Sequence, residues 1–177
     1  MARILLAYST VDGQTLKICE RLQQLIASMG HTTQLLAIDQ ADGLDLAGFD
    51  QFVIGASIRY GKHRPEVYRF IEAHRAVLDR TPSAFFSVNV VARKPGKNTA
   101  ETNPYIKTFL RTTSWVPGVI AVFAGKIDYQ RYGLLDRQVI RLIMWITKGP
   151  TDLRACVEFT DWQAVERFAL RVGSGAQ

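Results

Sequence analysis

Apolar runs too short to be helices recur along the chain, each followed by a stretch with helical spacing, and this alternation restricts the fold more than any other feature. Residues 4–7 form the first run. Leu16, Cys19, Leu22, Leu25, Ile26 and Met29 then keep helical spacing, with Gly30 placed to end that helix. A strand is expected over 33–37. Phe52, Val53 and Ile54 read as a buried strand ending in Gly55-Ala56-Ser57. Pro65 opens a helix carrying Val67, Phe70, Ile71 and Leu78. A strand over 84–88, a helix over 104–112 and a strand over 119–123 follow. Thr160-Asp161-Trp162-Gln163 has a capping-box pattern and starts a last helix bearing Val165, Phe168, Ala169 and Val172. Short strands apolar on both faces and alternating with helices argue for a parallel sheet covered on both sides. The expected fold is α/β, a doubly wound five-stranded parallel sheet in a single domain spanning residues 1–177.

In such sheets ligands sit at the carboxyl ends of the strands. There the first strand runs through Ser9, Thr10, Val11, Asp12, Gly13, Gln14 and Thr15 into a helix. Unpaired N–H groups at a helix N-terminus, together with the helix dipole, form an anion site that needs no lysine. Hydroxyls of Ser9, Thr10 and Thr15 add donors, and Gly13 permits close backbone approach. The segment is neither G-x-G-x-x-G nor G-x-x-x-x-G-K-[ST], so a monophosphate such as that of FMN fits better than a dinucleotide or a nucleoside triphosphate. A cluster of this kind also serves as a plain helix cap. Two further loops leave the same edge, one with Ser57, Ile58, Arg59, Tyr60 and Gly61, the other with Ser87, Val88, Asn89, Val90 and Val91. Small residues, one aromatic ring and backbone amides in converging loops suit a flat heteroaromatic ligand, with Tyr60 placed to stack.

The net charge of +6 is uneven: residues 1–58 sum to −3, 59–111 to +7 and the remainder to +2. A basic middle attracts phosphates, carboxylates, anionic lipid or nucleic acid alike. A nucleic-acid module ranks last, because the aromatic residues fall mostly in core runs and no binding motif is present. Cys19 and Cys156 form no C-x-x-C, and His31, His63 and His74 lack ligand spacing, so thiol chemistry and a metal site are not expected. No apolar run reaches the length of a spanning helix, roughly 18 residues. The chain enters a strand at once, leaving no room for a signal peptide, so the expected location is the cytoplasm.

Between the fifth strand and the last helix lies an insertion, residues 125–159, far longer than a usual connection. Leu135, Val139, Leu142, Ile143 and Ile146 have helical spacing within it, and Met144 and Trp145 widen the apolar face. A helix over 134–147 would be about 21 Å long, too short for a hydrocarbon core of about 30 Å. Three readings are open: it packs on the domain, lies on a membrane surface, or covers the active site.

Four blocks of the chain, residues 9–15, 53–61, 83–95 and 159–162, together with the insertion, resemble the flavodoxin-like family and, more closely, the quinone-dependent (menaquinone-dependent) protoporphyrinogen IX dehydrogenases of bacterial haem synthesis. The resemblance spans nearly the full length. It implies noncovalent FMN, oxidation of protoporphyrinogen IX to protoporphyrin IX, transfer of electrons to menaquinone or ubiquinone, and a peripheral position on the cytoplasmic face of the inner membrane. By position, residues 10–15 would hold the phosphate, and the loops at 57–61 and 87–91 would flank the isoalloxazine. Small flavodoxins carry a tryptophan in the second loop, where this chain has Tyr60. Arg59, Lys62, Arg93 and Lys94 would favour an anionic reduced flavin, and Arg59, Tyr60 and Arg93 are substrate-contact candidates, cations among them suiting the propionates of a porphyrinogen. No residue is named as a general base. The alternatives are an NAD(P)H:quinone oxidoreductase and a flavodoxin-type electron carrier, both also needing FMN.

Overall fold

The computed structural model describes residues 1–177 except Asp42, Leu44, Thr147, Lys148, Ala176 and Gln177. In chain order the elements begin with β1 (Arg3–Ser9), α1 (Gln14–Ser28), β2 (Thr32–Ala37), β3 (Gln51–Arg59), β4 (Lys62–His63), α2 (Pro65–Ala73), α3 (Arg75–Leu78) and β5 (Ser83–Asn89). They continue with α4 (Pro104–Thr112), β6 (Val119–Ala124), β7 (Lys126–Asp128), α5 (Leu134–Ile146), β8 (Cys156–Glu158) and α6 (Trp162–Ser174). The parallel strands take the order β2-β1-β3-β5-β6, so the chain reverses direction across the sheet between β1 and β3. This is the doubly wound arrangement expected from the alternation, with its switch point at the carboxyl ends of β1 and β3.

Strand periodicity divides the core into two layers. Leu5, Ala7, Phe52, Ile54 and Phe85 face the layer closed by Phe70, Ile106 and Phe109. Ile4, Leu6, Val53, Ala84 and Phe86 face the other, closed by Ile18, Leu22 and Ile26 of α1 and by Val165, Phe168 and Val172 of α6. Cys19 lies fully buried in this second layer, and burial pushes its thiol up, away from reactive thiolate. Gly55 is set by packing: a Cβ there would lie 2.2 Å from Phe86 Cζ.

Several boundaries differ from the sequence expectation. β3 does not end at Gly55-Ala56-Ser57 but continues to Arg59 and returns as antiparallel β4. The two turn residues, Tyr60 and Gly61, have φ of 49° and 78°, the signs a type I′ hairpin requires. The helix opened by Pro65 breaks at His74 before the short α3. Asp161, not Thr160, caps α6, accepting from Ala164 N at 3.1 Å. Thr160 is held elsewhere, its hydroxyl donating to Ala124 O at 2.7 Å and accepting from Gln14 Nε2 at 2.9 Å.

The insertion has its own small architecture. β7 and β8 pair antiparallel at its base, and Ile127, Tyr129, Tyr132 and Met144 form a separate buried cluster. α5 forms as expected, although Thr147, the last residue of the expected helix, lies outside the described residues. Its apolar stripe does not face the core: Leu135, Val139, Leu142 and Ile146 are exposed, and Met144 is the residue the helix buries. Among the described residues no helix is long and apolar enough to cross a membrane.

Candidate functional site

The loops after β1, β3 and β5 converge on one cavity of about 240 Å³ at the switch point. Its floor is the N-terminus of α1. Gly13 occupies the N-cap with φ 86°, no side chain caps the helix, and the first turn carries no acidic residue. The first helical bond is Lys17 N to Gly13 O at 3.1 Å, so the N–H groups of Gln14, Thr15 and Leu16 have no partner within the helix. Thr15 lines the cavity, is fully buried, and its Oγ1 has no hydrogen-bond partner. A buried orphan hydroxyl beside unpaired helix amides is costly unless an acceptor meets it. The site therefore fits a phosphate in the strand-to-helix turn.

The other hydroxyls of this turn have structural partners. Ser9 Oγ donates to Glu66 Oε1 at 3.0 Å, and Thr10 Oγ1 accepts from Gly13 N at 3.0 Å while keeping its own proton free to donate. Glu66 also pairs with Arg64 at 2.6 Å, and Arg64 Nη1 donates to Thr10 O at 3.3 Å. The start of α2 thus braces the first loop, a role not read from the sequence. Ser9, Val11 and Gly13 do not line the cavity, and Val11 is exposed.

In the second loop, Ser57, Ile58, Arg59, Tyr60 and Gly61 all line the cavity, and Tyr60 is 70% exposed. Arg59 sits between two acids. Its Nη1 lies 3.4 Å from Asp12 Oδ2, and its Nη2 donates to Asp136 Oδ2 from α5. Tyr60 Oη donates to the other oxygen of Asp136 at 2.5 Å. Burial opposes the charge on Arg59, but Asp12 and Asp136 outweigh it and raise its pKa. Tyr132 stacks on the same guanidinium, its ring centroid 5.5 Å away; burial and Asp12 push this phenol up to about 12. Of the cations expected around the flavin, Arg59 is paired with two carboxylates and Lys62 is exposed on β4.

The third loop places Val88, Asn89 and Val90 on the wall, which Ser87 and Val91 do not line. Asn89 caps the following turn by accepting from Ala92 N at 3.0 Å and receives Asn103 Nδ2 at 3.3 Å. Its own Nδ2 donates to Ser87 Oγ at 3.3 Å, which bonds His63 Nε2 at 3.0 Å. His63 is buried among Tyr68, Phe85 and Phe109, and this burial lowers its pKa to about 4, so the imidazole is neutral. Arg93 does not line the cavity. It donates to Val90 O at 3.0 Å and lies 5.8 Å from the Phe159 ring at the base of the insertion, where burial lowers its pKa.

The roof of the cavity is α5, which contributes Asp136, Val139, Ile140, Ile143 and Met144. Of the readings open for this helix, covering the site is the one the geometry displays. Gln14, Tyr105, Lys126 and Tyr132 complete the wall. Tyr105, Lys126, Tyr132 and Asp136 were not singled out from the sequence. Only the 3.6-residue period of α5 hinted at Asp136, which falls off the apolar stripe.

Comparison with known proteins places this geometry. A family model described as Flavodoxin domain matches residues 5–154. A protein of Escherichia coli K12 named protoporphyrinogen IX dehydrogenase (quinone) is 40% identical over 170 residues, which cover 96% of this chain and 94% of that one. A protein of the same name from Leishmania major is 41% identical over 168 residues, covering 94% and 73%. Among solved structures, oxidised flavodoxin 2 from Bacillus cereus superposes with a TM-score of 0.58 at 15% identity, covering 98% of this chain and 99% of that one; this likeness carries the fold alone.

Proposed function

The chain belongs to the flavodoxin-domain family and, within it, to the quinone-dependent protoporphyrinogen IX dehydrogenases, and from that premise we propose how its site works. It oxidises protoporphyrinogen IX to protoporphyrin IX and passes the electrons to a respiratory quinone. A flavin is the cofactor that goes with the domain. FMN is the form proposed, because one phosphate matches one helix N-terminus and one orphan hydroxyl, that of Thr15. Gln14 and Thr10 would complete the phosphate end, and the loops at Ser57–Gly61 and Val88–Val90 would flank the ring.

A bound flavin would supply the redox chemistry between the substrate and the quinone. The protein's part is to orient, enclose and exclude water. Val88, Val90, Ile140 and Met144 make the surroundings apolar, and Arg59 offers a planar cation to a substrate carboxylate. The observation that carries this reading over a soluble electron carrier is the roof: α5 covers the site with apolar side chains, which suits an apolar substrate and a quinone.

For its location we propose the cytoplasmic surface of the inner membrane, a reading that the outward face of α5 supports. Leu134, Leu135, Leu142, Trp145 and Ile146 are exposed beside Arg141. An apolar face with Trp and flanking cations suits the headgroup boundary of a bilayer. Leu142→Ser combined with Trp145→Ser should release the protein from phosphatidylglycerol vesicles while FMN stays bound; unchanged vesicle binding contradicts the placement. For the reaction, protoporphyrinogen IX should bleach FMN-loaded protein anaerobically, and menaquinone or ubiquinone should restore the colour. Bleaching by NAD(P)H and none by the porphyrinogen would establish the reductase alternative instead.

A further inference from the structure

The second loop and the roof meet at a contact that a flavin site does not require. Asp136 offers one carboxylate oxygen to Arg59 Nη2 and the other to Tyr60 Oη, the second at 2.5 Å. Two donors from adjacent residues thus hold one carboxylate at both oxygens, the geometry by which proteins recognise a carboxylate ligand. The donors are fixed in advance. The guanidinium lies 5.2 Å from the Tyr60 ring and 5.5 Å from the Tyr132 ring, and Tyr60 is held at φ 49° by the hairpin turn. A non-glycine residue stays in that region only when its surroundings impose it.

The carboxylate filling this clamp belongs to the lid. Asp136 stands in the first turn of α5, whose later turns carry Ile140 and Met144 over the cavity. α5 is also held by the next residue, Arg137, whose Nε donates to Tyr129 O at 3.0 Å, and by burial of Met144. The cavity, about 240 Å³ and partly open to solvent, is small beside the roughly 300–1,000 Å³ usual for one drug-sized ligand, so movement of the roof would make room for a tetrapyrrole beside a flavin ring. Arg59 and Asp136 are each partly open to solvent, with side chains 19% and 25% exposed, so an incoming anion can reach them.

We propose that Arg59 and Tyr60 form a binding site for a substrate carboxylate, that Asp136 occupies it as an internal stand-in, and that substrate unfastens α5 at this contact by taking its place. The exchange swaps one carboxylate for another, so the charge around Arg59 and Asp12 is conserved and neither partner is left buried and unpaired. An ester of the same ring has no such exchange and meets the lid still fastened. This rests on the reading of the substrate as a dicarboxylate porphyrinogen.

The test is a fluorescence titration of FMN-loaded protein with protoporphyrin IX and, separately, its dimethyl ester in the same detergent. The wild type should prefer the diacid. Asp136→Ala should widen that preference about five- to tenfold by removing the competitor, with Asp136→Asn showing a smaller change in the same direction. Arg59→Met should abolish the preference. A diacid-to-ester ratio unchanged in Asp136→Ala overturns the proposal. The titration involves no turnover, so a protein that is not reduced by protoporphyrinogen IX sinks the reaction alone, whereas one that turns over with an unchanged ratio sinks this site alone. A second readout needs no porphyrin. Propionate should increase acrylamide quenching of the bound flavin in the wild type and not in Asp136→Ala, while equal chloride should do nothing; no effect of propionate also overturns the proposal.

Discussion

Helix α1 lays Ile18, Cys19, Leu22 and Ile26 against the sheet with none of them exposed, whereas α5 turns Leu135, Leu142, Trp145 and Ile146 to solvent. Both have a regular apolar stripe. They differ in what surrounds them: α1 is trapped between the sheet and α6, while α5 rests on the small cluster of Ile127, Tyr129 and Tyr132 and is tied by polar contacts at Asp136 and Arg137. The two regions divide the work. The sheet side is fixed by burial and presents loops of set shape; the insertion is fastened largely by polar contacts and leaves an apolar face exposed.

Equivalent truncations on the two helices should break this comparison if it is wrong. Leu22→Ala should destabilise by about 2–5 kcal/mol, and Leu142→Ala should stay within about 0.5 kcal/mol, both read from denaturant unfolding. Similar costs for the two would mean that α5 is an ordinary core helix.

Acid should separate the regions next. His63 has its pKa lowered to about 4 by burial under the third loop. The unfolded chain therefore takes up a proton that the folded chain refuses. Stability is full above the ordinary histidine range, near pH 6.5, and falls as the pH drops toward 4, by roughly 3 kcal/mol in all. His63→Gln should flatten the unfolding midpoint across that window; a midpoint that falls as steeply as before would show another group responsible. The tie of the insertion behaves differently. The hydrogen bond from Tyr60, with the Arg59 charge, holds Asp136 below the usual carboxylate range, so its contribution is present above that range and is lost only as the pH falls through the lowered value.

A smaller effect sharpens the account of the floor. Thr15→Val removes a hydroxyl that has no partner in the protein, so the chain without cofactor should be as stable or slightly more so. FMN binding should weaken about ten- to a hundredfold, the contribution of one hydrogen bond to a charged group. Isothermal titration reads both the affinity and its loss; unchanged affinity would take Thr15 out of the phosphate site.

The sheet side was legible in the sequence because short apolar runs and amphipathic spacing answer to the same burial. Residues 9–15, 57–61 and 87–91 come to one edge of the sheet, since parallel strands bring their carboxyl ends together whatever the loops contain. The Tyr60-Gly61 hairpin was missed because a bulky residue at positive φ runs against local preference, and tertiary contacts alone hold it there. The direction of the α5 stripe was illegible for another reason: a period of 3.6 residues gives a face, and only the neighbours decide whether that face is core or surface. Arg93 reads as a loop cation by position, yet Val90 and Phe159 draw it to the base of the insertion. The partnership of Asp136 with Arg59 joins residues far apart in the chain, and no local signal reports it.

The antiparallel β7–β8 pair brings Asp128 opposite Cys156, so the insertion can be replaced by a short Asn-Gly turn at that point without disturbing the sheet. Anaerobic titration of this shortened protein, loaded with FMN, with protoporphyrinogen IX tests the division of labour most directly. The account predicts that it still binds FMN and is no longer reduced by the porphyrinogen, while the full chain is. Loss of FMN on shortening, or reduction as fast as in the full chain, would contradict it.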